Sequence, residues 1–293
     1  MEDIMKKMKD KYPSFSKGQK LIAEYIFEHY DKAAFMTAAK LGEKAGVSES
    51  TVVRFATEMG YDGYPNLQKV LREVVKSRLT AVQRLEVSSE QIDPESVLKS
   101  VLQADMNKIR LTMEEADPIN FNKIVEEILN ANRIFILGVR SSAPLASFLG
   151  FYFNLIFENV RLVHTTSVSE MFEQIVNARE KDVVIGISFP RYSKRTSKAM
   201  QYAKHQGATV IAITDNQHSP LAKYSDYSLF ARSDMASFVD SLVAPLSIIN
   251  ALIVAIGLKR KDTMYNTLAH LEKLWDEYQV YDKGEAFSEL KHD

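Results

Sequence analysis

The 293-residue chain contains no cysteine. Disulfides, thiolate zinc sites and cysteine nucleophiles are thereby excluded, and the absence suits a reducing cytosol. A chain-wide excess of one charge is also missing, since 37 Lys and Arg face 38 Asp and Glu. Long apolar runs are absent as well. The longest in the second half, Leu242 to Leu258, is interrupted by Pro245, Ser247 and Asn250, and reads as a buried helix rather than a membrane span. The opening MEDIMKKMKDKYPSF lacks an apolar core, so no signal peptide is expected. The six histidines form no HxxH or HxxxH pair. There is no GxxxxGK(S/T) loop, and Gly138 alone does not make GxGxxG. Neither a metal nor a cofactor is expected. No internal repeat or low-complexity tract is visible.

What remains is a globular composition, 46% hydrophobic and 26% charged. The length suggests two domains at roughly 100–200 residues each. Charge is unevenly spread: residues 1–80 hold 14 Lys/Arg against 11 Asp/Glu, the remainder 23 against 27. Any nucleic-acid contact is therefore expected at the N-terminal end.

The stretch from Ala38 to Thr57 has the grammar of a helix-turn-helix. A short helix carrying Leu41 and Ala45 meets a Gly46-Val47 turn. Ser48 is placed to cap a second helix, Glu49 to Met59. Gly42, Ala45 and Gly46 supply the small residues that a steep helix crossing needs. Val47, Val52, Phe55 and Met59 make an inward stripe. Glu49, Ser50, Val53, Arg54 and Thr57 make the opposite face, with side chains able to meet base edges and phosphates. An ordinary αα-hairpin has the same pattern, and the surroundings must decide. Ser16 to Gln19 reads as a capping box opening a helix from Lys17 to Tyr30. Gly60 to Pro65 is a turn-rich stop, and Asn66 to Leu85 reads as another helix. The helical unit is assigned to residues 1–80, a polar linker containing Pro94 to 81–96, and a second domain to 97–293. The helix after the linker carries Val97, Val101, Ala104, Ile109 and Met113, a stripe suited to a core or to a partner helix.

From Phe121 onward, helices alternate with apolar strands at Arg133–Val139, Val160–His164, Asp182–Ser188, Thr209–Thr214 and Tyr227–Ala231, with a short helix expected near Pro220. Such strands predict a doubly wound α/β domain with a parallel sheet covered on both faces, and ligands bind beyond the strands' carboxyl ends. Two helices, Leu242–Leu258 and Thr263–Tyr278, close the chain. Two strand-end loops carry chemistry. In the first, Gly138 permits close backbone approach, Arg140 offers a fixed charge, and Ser141 and Ser142 offer hydroxyls at a helix N-terminus. In the second, Ser188, Ser193 and Thr196 supply hydroxyls, while Arg191, Lys194 and Arg195 supply three cations within five residues. Taken singly, such a loop also fits helix caps beside a solvated cationic face. The pair suggests one small anionic ligand. Catalysis would need an acid and a base, for which Glu170, Glu173, Asp215 and His164 are the nearby candidates, each also at home as a capping, turn or strand-end residue.

The segment VSESTVVRFATEMGYDGYPNLQ, Val47 to Gln68, closely resembles the helix-turn-helix of RpiR-family bacterial transcription regulators, and the second half resembles the sugar isomerase (SIS) domain that family carries. The resemblance covers nearly the whole chain. It implies a five-stranded parallel α/β SIS domain behind an all-α DNA-binding domain, a phosphosugar-like effector controlling carbohydrate genes, and a homodimer or homotetramer paired through helices. Ser48, Glu49, Ser50, Arg54 and Thr57 would face DNA. Gly138, Arg140, Ser141, Ser142, Ser188, Arg191, Ser193 and Thr196 would face the effector. Where the SIS pattern has GxGxS, Arg140 stands at the second glycine. Where it has SxSGxT, Pro190 and Arg191 replace the central Ser-Gly. SIS isomerases tend to carry a glutamate shortly after that loop, whereas Ser197, Lys198 and Ala199 follow Thr196 here. The expectation is a non-catalytic sensor. A phosphosugar isomerase with an accessory helical domain, and an oligomerisation scaffold with empty loops, are the alternatives.

Overall fold

The computed structural model describes residues 4–76, 79–89, 94–163, 165, 167–233 and 239–281. The N-terminal unit contains α1 (Ile4–Lys11), α2 (Lys17–Glu28), α3 (Tyr30–Ala33), α4 (Ala38–Ala45), α5 (Glu49–Glu58) and α6 (Gly63–Lys76). These pack around one core that includes Ile22, Ile26, Leu41, Val52, Phe55, Met59, Leu67 and Leu71. α1 leaves no clear periodic signal in the sequence. It docks through Ile4 and Met8, two fully buried residues one turn apart, a stripe too short to stand out by periodicity. The capping box at Ser16 and Gln19 forms with both of its bonds.

The α4–α5 pair is built as its small residues require. Gly46 ends α4 in the left-handed region at φ 70°. A Cβ on Gly42 would lie 2.8 Å from the Val47 carbonyl oxygen, so only glycine allows this crossing. Ser48 Oγ accepts from Thr51 N–H at 3.3 Å and caps α5. Val52, Phe55 and Met59 are fully buried and Val47 packs partly buried beside them. Glu49, Ser50, Val53, Arg54 and Thr57 all face outward.

The expected linker begins as a helix. α7 spans Ala81–Ser89, and a 3₁₀ turn follows at Pro94–Ser96. The overlooked signal is a capping box: Thr80 Oγ1 accepts from Gln83 N–H at 3.2 Å, and Gln83 Oε1 accepts from Thr80 N–H at 3.0 Å. The predicted helix from Asn66 to Leu85 is accordingly two helices, with α7 restarting at that cap.

The second domain begins with α8 (Val97–Glu115) and α9 (Pro118–Leu129). It continues as β1 (Ile134–Gly138), α10 (Ala143–Ile156), β2 (Val160–Val163), α11 (Val168–Ile175), β3 (Val183–Ile187), α12 (Lys194–His205), β4 (Thr209–Thr214) and β5 (Tyr227–Phe230). It closes with α13 (Val243–Lys259) and α14 (Lys261–Glu277). The five strands are all parallel, in the order β2-β1-β3-β4-β5. Alternate strand residues feed two cores. Ile136, Ile185 and Ile211 meet α9, α10 and α13 on one face. Leu137, Val184 and Val210 meet α11 and α12 on the other. The doubly wound fold follows from these strands being apolar on both sides. Near Pro220 the chain makes turns rather than a helix, pinned by the buried Leu221. Among the described residues no single helix is long and apolar enough to cross a membrane.

Candidate functional site

Strand order reverses direction between β1 and β3, which lie side by side at the centre of the sheet. The loops leaving their carboxyl ends therefore meet, although 50 positions separate Gly138 from Ser188 in the chain. This is where an open α/β sheet binds ligands.

Two adjoining cavities occupy the crevice. One, about 730 Å³, is lined by Arg140, Thr165, Glu170, Arg191, Ser193, Lys194 and Arg195 among others. The second, about 520 Å³, is lined by Arg84, Ser141, Ser142, Ser188, Pro190 and Asp240 among others. Val139, Arg140, Arg191 and Ser193 border both. The first is the cationic side of the crevice and the second holds most of the hydroxyls. Together they suit an anion with a polar body.

Both shared arginines have left-handed backbones, with φ 57° at Arg140 and φ 63° at Arg191. For a long side chain this conformation is strained, and such strain gathers at ligand sites. The second loop is braced from within. Ser188 Oγ accepts from Ser193 N–H at 3.0 Å. Ser193 Oγ accepts from Thr196 N–H at 3.2 Å and caps α12. Tyr192 donates its hydroxyl to both Asp215 carboxylate oxygens, at 2.8 and 3.0 Å. Asp215 also accepts from Asn216 Nδ2 at 2.8 Å. The Tyr192–Asp215 tie was not read from the sequence, because 23 positions separate the partners.

Gly138 borders the first cavity, and its lack of a Cβ also serves packing: a Cβ there would lie 2.7 Å from the Ser142 carbonyl oxygen and 2.8 Å from Ala146 Cβ. Two sequence expectations change. Thr196 is fully buried one turn into α12 and lines neither cavity, and its hydroxyl has no partner among the described residues. Ser142 does not cap α10 with its side chain, although it is buried and borders the second cavity. Of the acid–base candidates, Glu170 reaches the first cavity and accepts a hydrogen bond from the Thr165 hydroxyl. Asp215 braces Tyr192, Glu173 is exposed, and His164 lies outside the described residues. Among the described residues no group of three His, Asp or Glu side chains is placed to hold a metal.

On α5 the candidate set Ser48, Glu49, Ser50, Arg54 and Thr57 is exposed as one surface. All three of its hydroxyls are engaged locally. Ser48 caps the helix and shares a hydrogen bond of 2.9 Å with Ser50 Oγ, and Thr57 Oγ1 donates to Val53 C=O at 3.3 Å. Glu49 and Arg54 complete the set.

Residues 2–77 match the helix-turn-helix domain described for the rpiR family, and residues 127–255 match the SIS domain. An uncharacterized HTH-type transcriptional regulator of Caldanaerobacter subterraneus is 27% identical over 278 residues, covering 94% of this chain and 97% of the relative. Among solved structures, the sugar isomerase domain of an RpiR transcription factor from Sphaerobacter thermophilus is 25% identical with a TM-score of 0.57. It covers 61% of this chain and 99% of that one. The Vibrio vulnificus NanR protein, solved in complex with ManNAc-6P, shares the fold at 20% identity and TM-score 0.57. It covers 92% of this chain and 98% of that one.

Proposed function

Because the chain belongs to the RpiR family of transcription regulators, with a helix-turn-helix ahead of a SIS domain, we propose that α5 reads an operator and that a phosphosugar-like anion in the β1/β3 crevice sets the affinity for it. The observation that carries the effector reading is the meeting of two Ser- and Arg-bearing loops around shared cavities at the sheet's switch point. A ManNAc-6P complex of a protein with the same fold supports that ligand class. The regulated genes would serve carbohydrate metabolism in the cytoplasm. A homodimer or homotetramer would present two α5 helices to pseudo-palindromic half-sites. Its contact surface would be α8, where Leu98, Leu102, Met106, Ile109 and Met113 are exposed at spacings of three and four.

The isomerase alternative asks for a base beside the substrate. Asp215 accepts from Tyr192 and Glu170 from Thr165, and we read the crevice as a sensor rather than a catalyst because the full-length relative is a transcriptional regulator. A thermal-shift panel of sugar phosphates, amino-sugar phosphates and acidic sugars identifies the effector. Operator DNA selected from random sequence is then bound at fixed salt, with and without the hit. Arg54→Ala should weaken operator binding by about 1–3 kcal/mol and relax one base position. Ser188→Ala should weaken effector binding and leave effector-free operator affinity intact. Unchanged operator affinity in Arg54→Ala, or turnover of a bound sugar phosphate, overturns the assignment.

A further inference from the structure

Helix α7 belongs to both domains. Leu79, just before it, is buried in the N-terminal core, and Gln83 Nε2 donates to Asp31 Oδ2 of α3 at 3.1 Å. The next residue turns the other way. Arg84 is only 2% exposed, and its NH1 donates to Asp240 Oδ1 at 2.6 Å, 156 positions downstream. Asp240 in turn belongs to the α/β domain, where its neighbour Ser241 donates to Asp105 of α8 at 2.6 Å. Both members of the Arg84–Asp240 pair line the second cavity, beside Ser142, Ser188, Arg140 and Arg191.

Stability alone accounts poorly for this pair. Burying two charges carries a desolvation penalty that their attraction often fails to exceed, and apolar replacements are frequently as stable. Its position supplies another reason. The cavity wall holds Arg84, Arg140 and Arg191 against one carboxylate, Asp240, so an entering anion meets net positive charge. A guanidinium carries five donors in a planar fork that suits phosphoryl oxygens as well as a carboxylate.

We infer that Arg84 is an effector-contacting residue supplied by the helix that joins the domains. The phosphoryl group of the bound sugar phosphate competes with Asp240 for its guanidinium. The Arg84–Asp240 pair is the effector-free arrangement, in which the carboxylate occupies the anion's place. Effector binding re-partners Arg84 and thereby shifts α7, and Gln83 and Leu79 carry that shift to the DNA-binding domain. Such coupling requires contacts that differ between the two states, and the exchange of partners at Arg84 provides them. The inference rests on the reading of the crevice as a sugar-phosphate site.

The test uses the full chain with glucose 6-phosphate, 6-phosphogluconate and N-acetylmannosamine 6-phosphate, measured by calorimetry and by operator binding. Arg84→Gln should weaken the best of these roughly tenfold or more, as for loss of a charged hydrogen bond. Asp240→Asn should tighten it by removing the competitor. Gln83→Ala should leave effector affinity unchanged and reduce the effector-induced change in operator affinity. A structural role alone would lower the melting temperature of Arg84→Gln while the folded fraction binds as wild type, and that result overturns the inference. Should Arg84→Gln fail to fold, Asp240→Asn keeps the arginine, and its unchanged affinity is equally decisive against competition. Failure of the wild type to bind any of the three removes the sugar-phosphate reading and the inference with it. Wild-type binding with indifferent variants removes the inference alone.

Discussion

Arg140 and Arg191 hold a conformation that glycine adopts freely, at the two positions where the SIS loop patterns have glycine. A non-glycine residue there costs about 1–3 kcal/mol. If the crevice takes an anion as proposed, the charge they place on the wall between the cavities would offset that strain in function, not in stability. At each site, therefore, the Arg→Gly variant should be more stable than the Arg→Ala variant by about 1 kcal/mol, since alanine keeps the strain and loses the charge. Both should bind phosphorylated sugars less tightly than wild type. Urea unfolding and calorimetry on the two pairs check this, and an alanine variant as stable as the glycine one would remove strain from the account. The sequence comparison exposed both substitutions, but not the backbone they occupy. A φ angle is not written in residue type when arginine stands where glycine is usual.

At the scale of elements, the α4–α5 crossing depends on a contact between backbones. Ala at position 42 would bring its Cβ to 2.8 Å from the Val47 carbonyl oxygen and 3.3 Å from the Glu49 amide nitrogen. Neither atom can rotate away, so the helices must re-angle. Gly42→Ala should lower stability by about 1–3 kcal/mol, as overpacking does, and weaken operator binding while effector affinity holds. Melting curves with paired DNA and effector titrations test it. Much of this level was legible beforehand. Five apolar strands, the paired loops and the hairpin all announce themselves through local pattern. α7 did not, because VSSEQIDPES reads as polar linker and hides the Thr80–Gln83 cap just upstream. α1 did not, because its packing rests on two side chains. The Arg84–Asp240 and Tyr192–Asp215 ties were out of reach for a different reason: each depends on tertiary proximity between residues that no local period relates.

At the scale of the whole molecule, the exposed face of α8 is the feature a monomer explains least. Leu98 is 76% exposed, Met106 63% and Met113 70%. α14 likewise contains no buried residue. Water contact over such a stripe marks an interaction surface. Replacing Leu102 and Met106 together by glutamate should shift the assembly toward monomer in sedimentation velocity. It should also reduce affinity for a two-half-site operator far more than for a half-site. A variant sedimenting as wild type would place the interface elsewhere. The helix between the domains has a further consequence, for recombination. A chimera joined between α6 and α7 severs Gln83 from Asp31, and one joined after α7 severs Arg84 from Asp240. Neither seam transplants one domain intact with its connections. Grafting the sensor of one relative onto the DNA-binding domain of another must therefore carry a matched pair of contacts along with α7. If α7 couples the domains in this way, operator choice and effector choice would be inherited together unless the partners of the adjacent Gln83 and Arg84 were changed at once.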